Sequence, residues 1–160
     1  MYELKIFDKT MQKDIERFFI KCFSDLGWGY EPGGRHTDIS DAYKAYMENG
    51  CMWCLYDGKL LAGTVAVRNI TKAGGEKTAE LKRMFVLKEH QGKGYGNLLL
   101  ETAVAYSREN GYCKILLDSR KGFHAALHLY RKYGFTEIPA YNDNEKAELY
   151  MGLKLFHPVR

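Results

Sequence analysis

One segment constrains the fold of this 160-residue chain more than any other: TAELKRMFVLKEHQGKGYGNLLLETAVAYSRENGYCKILLD. A strand-like run leads into a loop with glycines at 92, 94 and 96. The loop opens into a stretch with Tyr95, Leu98, Leu99, Thr102, Ala103 and Tyr106 on one helical stripe, and an apolar run follows the Asn110-Gly111 stop. Strand, helix and strand in this order form a crossover, which makes the two strands parallel. Ligands of open α/β sheets bind at such strand-to-helix junctions. The first amides of a helix have no partner within it and carry partial positive charge, and glycine lets them approach an anion without a Cβ in the way. The junction therefore reads as a phosphate site, with Lys93 as an additional charged donor.

The rest of the chain supplies a sheet around this unit. YELKIF alternates at period two and predicts a first strand. Met11, Ile15, Phe18, Phe19 and Cys22 predict a first helix over residues 10–24, and Ile39, Tyr43, Tyr46 and Met47 predict a second, stopped at Asn49-Gly50. Between them LGWGYEPGGRH reads as an aromatic loop. CMWCLY and KLLAGTVAVRN, joined at Asp57-Gly58, predict a hairpin. Phe123, Ala126, Leu127 and Tyr130 mark a last helix ending at Gly134, and FTEI and AELYMGLKL close the sheet around the loop PAYNDNEK. The class is α/β, in one domain over residues 1–160.

Composition excludes several functions. No apolar run approaches the ~20 residues needed to cross a bilayer. MYELKIFDKT carries charges where a secretion signal needs an apolar core, which points to a cytoplasmic protein. The net charge of +4 is scattered rather than gathered in a stripe, so neither nucleic acid nor membrane is an expected partner. Cys51 and Cys54 form C-x-x-C, but in an alternating strand residues three apart face opposite sides, and no second pair completes a zinc site. They read as buried free thiols. His124 and His128 stand four apart, yet Ala125 replaces the glutamate of a metalloprotease helix and no third ligand is apparent, so no metal is expected.

Three phosphate motifs compete for the glycine loop. The kinase-type loop fails because Gly94, not a hydroxyl residue, follows Lys93. The dinucleotide fingerprint has its strand, its helix and, in Asp118, an acid at the end of the next strand, but its third glycine is missing. The third pattern, Q/R-x-x-G-x-G/A, is met by Gln91, Gly94 and Gly96. It is the pyrophosphate loop of the GNAT superfamily of N-acetyltransferases, which this chain resembles over residues 51–155. AELKRMFVLKEHQGKGYG is similar to that family's fourth strand and third helix, ALHLYRKYGF to its fourth-helix signature, and FTEIPAYNDNEKAELYMGLKL to the last strands of a bacterial branch.

The resemblance implies a mixed, mostly antiparallel twisted sheet of six to seven strands, flanked by four helices, with a splayed parallel pair at the crossover. It implies transfer of an acetyl group from acetyl-CoA, as co-substrate, to a primary amine by direct attack. The loop residues Gln91, Gly92, Lys93, Gly94, Tyr95, Gly96 and Asn97 would hold the diphosphate, the backbone of Met84, Phe85 and Val86 would run beside the pantetheine arm, and Met84 N–H would steady the oxyanion. Glu80 is the expected base, since burial raises a carboxylate pKa towards neutrality, unless it merely pairs with Lys82. Tyr130, on the inward stripe, is the expected acid and sulfur neighbour. Phe123 stands where the family often has an asparagine that contacts pantetheine, so that contact is expected to be lost or replaced by packing. A non-catalytic acyl-CoA-binding module would keep the loop without needing Glu80 or Tyr130.

The acceptor is expected to be a small amine or amino-acid-like molecule. Trp28, Tyr30 and Tyr141 could form an aromatic wall, Glu31, Asp143 and Glu145 could attract a cation, and Arg35 and His36 could read a carboxylate. The resemblance also leaves room for a homodimer.

Overall fold

A computed structural model describes residues 1–155. Seven strands form one sheet in the order β1-β2-β3-β4-β5-β7-β6. They are β1 (Tyr2–Ile6), β2 (Gly50–Asp57), β3 (Leu60–Asn69), β4 (Thr78–Val86), β5 (Lys114–Ser119), β6 (Thr136–Ile138) and β7 (Leu149–Lys154). Every neighbouring pair is antiparallel except β4 with β5, the pair joined by the crossover helix.

Alternation along β2 explains the two cores. Cys51, Trp53 and Leu55 face α3 (Tyr95–Glu109) and α4 (His124–Tyr133), while Met52, Cys54 and Tyr56 face α1 (Gln12–Asp25). The C-x-x-C cysteines therefore lie on opposite faces, and burial pushes the Cys51 thiol to about 11 and that of Cys54 to about 12. Both act as small apolar side chains. α1 contributes Ile15, Phe18, Phe19, Cys22 and Phe23, so its helical stripe packs as its spacing predicts.

The expected second helix is instead two short pieces, α2 (Thr37–Ser40) and a single π-helical turn, Tyr43–Met47. The cause lies in α1. Gln12 Nε2 donates to the carbonyls of Ile39 (2.8 Å) and Ser40 (3.1 Å), and its Oε1 accepts from the Ala42 amide (3.4 Å). A side-chain amide thus takes over backbone bonds that would have continued the helix.

Among the described residues no helix is long and apolar enough to cross a membrane, and no His, Cys, Asp and Glu cluster is suited to a metal. His124 and His128 are both solvent-exposed.

Candidate active site

β4 and β5 pair only where Thr78, Ala79 and Glu80 meet Lys114, Ile115 and Leu116. Beyond Glu80, β4 stays with β3 as far as Val86, and β5 stays with β7 as far as Ser119. The strands part, and a cavity of about 1150 Å³ opens between residues 81–86 and residues 117–119.

A bulge helps to shape this opening. Thr64 stands opposite Phe85 and Ala66 opposite Lys82, so β4 carries one extra residue over that interval. Arg83 has φ 51°, the one non-glycine with positive φ among the described residues. Its guanidinium bonds both carboxylate oxygens of Asp38, at 2.8 and 3.0 Å, which ties the bulge to α2. The Arg83 carbonyl accepts from Thr64 Oγ1 at 2.8 Å on the β3 side. Across that planar trans peptide the Met84 N–H points the opposite way, into the gap. The Leu87 amide donates to the Ala62 carbonyl at 2.9 Å, so alternation turns Phe85 towards β3 and leaves the Val86 backbone facing the gap. The backbone of Met84 and Val86 thus faces an open strand edge. Phe85 directs its ring into a cluster with Phe19 and Phe23, at 5.6 and 5.9 Å.

At the wide end of the gap the glycine loop reaches α3. Gly92 and Gly94 have φ 80° and 83°, and a Cβ built at either would meet no atom within 4 Å. These positions require left-handed backbone beside open space, which is why glycine occupies them. Among the described residues, no backbone carbonyl accepts from the amides of residues 92–97, whereas the Gln91 amide is already bonded to the Lys88 carbonyl at 3.3 Å. Gln91 instead uses its side chain, which donates to the Val86 carbonyl at 3.3 Å and ties the loop to β4. The Tyr95 ring turns away, against Tyr2 and His90, with centroids 5.4 and 6.2 Å apart. Lys93 and Asn97 are exposed and do not line the cavity, and Asn97 bonds Glu101 at 3.2 Å. The cradle therefore consists of backbone amides rather than of the side chains at 93, 95 and 97.

Glu80 is 1% exposed, and both of its carboxylate oxygens are engaged. Oε1 accepts from Arg68 Nε at 2.8 Å and pairs with the same guanidinium through Nη2, and Oε2 accepts from Tyr141 Oη at 2.6 Å and Asn142 Nδ2 at 3.3 Å. An ionised carboxylate offers about four lone-pair sites, and here three hydrogen bonds and the Arg68 ion pair engage both oxygens. Lys82 is not its partner but lies 3.8 Å from Asp118. Asp118, one residue before the end of β5, lines the cavity, which Glu80 does not. Asn142 Nδ2 reaches Asp118 Oδ2 at 2.8 Å and Asn144 Nδ2 reaches Oδ1 at 3.1 Å, so the loop before β7 is fastened to both carboxylates. Burial and the Glu80 charge raise the Tyr141 pKa well above the usual phenol value, so Tyr141 is a standing donor to Glu80.

Tyr130 is 6% exposed and lines the cavity. Burial first, then the Asp118 charge, pushes its phenol well above its ordinary 10, so it stays protonated in use. Phe123, at the head of α4, lies against Trp28 and Phe85 with centroids 5.9 and 6.5 Å apart, and Arg120 sits 5.0 Å over the Trp28 ring. These contacts join the loop after α1 to the loop after β5 and roof one side of the cavity.

Trp28, Arg35, His36, Asp143 and Glu145 also line the cavity, whereas Tyr30, Glu31 and Tyr141 do not. Tyr30 bonds Glu16 at 3.0 Å, and Arg35 lies 3.8 Å from Glu31. His36 stacks on Phe23 at 4.4 Å, and its Nδ1 accepts from the Glu31 amide at 2.9 Å. Burial, then the nearby Arg83 and Arg35 charges, lowers its pKa, so it is neutral with its proton on Nε2. A neutral His36 cannot pair with a carboxylate as a cation.

Sequence reasoning missed Arg68, Asp38 and Asn142. Arg68 was within reach, because the β3–β4 register sets it opposite Glu80. Asp38 and Asn142 lie 45 and 62 residues from their partners Arg83 and Glu80, beyond any local pattern.

Comparison with known proteins agrees with this geometry. Residues 13–135 match the model of the acetyltransferase (GNAT) family. N-acetyltransferase family 8 member 2 of Rattus norvegicus is 26% identical over 145 residues, which cover 87% of this chain and 64% of that protein. The chain thus spans less than two thirds of that relative's length. A GNAT-family acetyltransferase from Staphylococcus aureus Mu50 superimposes with TM-score 0.86 at 17% identity, covering 98% of this chain and all of that one. Another from Brucella melitensis, solved in complex with acetyl-CoA, gives 0.71 at 20% identity over 100% of this chain and 92% of that one. A glycine loop of open amides beside a splayed parallel pair, within a family match covering most of the described residues, has one reading: the chain belongs to the acetyltransferase (GNAT) family.

Proposed function

We propose that this chain is a single-domain N-acetyltransferase that binds acetyl-CoA and passes its acetyl group to a primary amine of a small molecule, amino acid or peptide. The observation that carries the proposal is the run of open amides at residues 92–97, beside a cavity that continues along the free edge of β4. The diphosphate needs several N–H donors without Cβ atoms in the way, and the positive-φ glycines meet that need. The pantetheine arm carries amides, and the exposed backbone of Met84 and Val86 offers complementary groups.

Each chemical demand then has a group. The Met84 N–H stabilises the oxyanion that forms on the thioester carbonyl, a role in which one lost donor costs about 2.7–4 kcal/mol in other acyl-transfer sites. Tyr130 supplies a proton to the departing sulfur. Glu80 belongs to the same centre, but a direct proton role requires Tyr141 or Asn142 to leave Oε2 first. The acceptor enters from the side of Trp28 and the loop before β7, where Asp143 and Glu145 favour a cationic amine. A cytoplasmic location suits such a reaction.

Two measurements test this reading. A thermal-shift screen with acetyl-CoA, CoA, NAD and ATP should raise the melting temperature only for the coenzyme A pair, because a ligand of the folded state stabilises it. Thiol release from acetyl-CoA should then appear with one or more of glycine, phenylalanine, lysine, tyramine and an alanyl tripeptide. No stabilisation by acetyl-CoA at millimolar levels would refute the proposal. Stabilisation without turnover of any amine would favour a non-catalytic acyl-CoA-binding module.

A further inference from the structure

Two carboxylates lie at the splay point, and their surroundings differ in a way that separates their roles. Glu80 is 1% exposed, does not line the cavity, and has both oxygens engaged by three hydrogen bonds and the Arg68 ion pair. Asp118 lines the cavity and accepts one hydrogen bond on each oxygen, from Asn142 and Asn144. Each of its oxygens therefore keeps a lone pair to offer. Its nearest cation, Lys82, lies 3.8 Å away across the gap, on the β4 wall of the cavity. Asn142 Nδ2 touches both carboxylates, at 3.3 Å from Glu80 Oε2 and 2.8 Å from Asp118 Oδ2. On the other side, the Asp118 charge is felt at the Tyr130 phenol, the expected acid on α4.

We propose that Asp118 receives the acceptor's proton, while Glu80 acts as a positioning residue that fastens the loop of residues 139–148 and, through Asn142, aims Asp118. The assignment rests on the acetyltransferase reading above. The acceptor arrives as an ammonium and is held by the Asp118 carboxylate. One N–H proton passes to the Asp118 oxygen and frees the nitrogen lone pair. The nitrogen attacks the thioester carbon, and the carbonyl π pair moves onto the oxygen facing Met84 N–H. On collapse the C–S bond breaks, the sulfur takes the Tyr130 proton, and the surplus proton on nitrogen restores the phenol. The products are an amide, a free thiol and one proton on Asp118 that returns to solvent.

Glu80 cannot do the same without breaking a bond that holds the loop. Its environment is that of an anchor: an arginine on one oxygen and a tyrosine on the other. The groups facing Asp118 are Lys82 and, through Asn142, Glu80 from β4; Tyr141, Asn142 and Asn144 from the loop; Tyr130 from α4; and, behind Glu80, Arg68 from β3.

The test uses the full chain with whichever amine of the panel above turns over fastest. Asp118→Asn should lower kcat at least about 100-fold, the lower range of general acid–base catalysis, with the Kd of acetyl-CoA within twofold of wild type. Formate should restore part of the turnover of Asp118→Ala. Glu80→Gln should instead show a raised acceptor KM and a lower melting temperature. A smaller kcat loss in Asp118→Asn, or a loss that formate leaves unrepaired in Asp118→Ala, overturns the assignment. So does formate rescue of Glu80→Ala in place of Asp118→Ala. If Asp118→Asn fails to fold, Asp118→Glu and Asp118→Ala carry the same test. An active wild type with an undiminished Asp118→Asn sinks this assignment alone, whereas a wild type that acetylates no amine sinks it together with the activity.

Discussion

Replacing Asp38 with asparagine tests whether the bulge on β4 is held from outside the sheet. The carboxylate accepts two bonds from Arg83 and a third from Tyr46, and Asp38 and Arg83 are only 18% and 17% exposed. Breaking one partner of a fully buried pair costs about 3–5 kcal/mol, and breaking an exposed pair about 0–1 kcal/mol. Four-fifths burial, and an asparagine that keeps one acceptor oxygen, place Asp38→Asn at about 2–3 kcal/mol. A positive φ at a bulky residue costs of order 1–3 kcal/mol by itself and persists only where the surroundings impose it. Arg83 should therefore relax once its anchor is weakened. For a chain of this length each kcal/mol shifts the melting temperature by about 2–4 °C, giving a fall of about 4–12 °C.

The pH dependence supplies the sign. Burial pushes the Asp38 carboxyl up, but its hydrogen bonds and the Arg83 charge outweigh burial and hold it below 3.8. A depressed folded-state value means that the stabilisation is present above the ordinary carboxylate pKa and is lost as pH falls through the lower folded value. Urea unfolding at pH 7 and at pH 3 measures both quantities. The wild-type advantage over Asp38→Asn should be largest at pH 7 and should shrink at pH 3. A loss below 1 kcal/mol at pH 7, or a difference equal at the two pH values, refutes the reasoning.

Other outcomes follow from the same geometry. Gly94→Ala forces a Cβ onto φ 83° and into the space before the open amides, so it should cost more than about 1 kcal/mol and weaken acetyl-CoA at least tenfold by calorimetry, whereas Gly96→Ala, whose Cβ meets only Leu129 at 3.4 Å, should cost less stability. Tyr130→Phe should lower kcat about 100-fold with the acetyl-CoA Kd unchanged. Because burial and Asp118 keep this phenol protonated beyond its ordinary 10, wild-type kcat should show no fall from pH 8 to 10 that Tyr130→Phe abolishes. Phe123→Ala removes a half-buried ring from Trp28 and Phe85, at about 2 kcal/mol by urea unfolding against 3–5 for a full core site, and should red-shift Trp28 fluorescence.

How far this protein could be read in advance depended on the range of the interactions involved. Hydrophobic spacing along residues 10–24 and 95–106, alternation in CMWCLY and the punctuating glycines are local signals, and the elements they predict formed close to the expected places. The glycine loop was legible for the same reason, since positive φ and open amides are properties of a few consecutive residues. The broken second helix was not, because the bonds that break it come from Gln12, a side chain 27 to 30 residues away. Nor was the state of Glu80, whose type and strand position were readable while its hydrogen-bond partners were gathered from β3 and from a loop some sixty residues on. Local conformation follows from the order of residues because its energies act between chain neighbours. Which carboxylate faces the cavity is a matter of packing, and only the folded sheet, by burying Glu80 beneath Arg68 and Tyr141 while leaving Asp118 on the cavity, decided it.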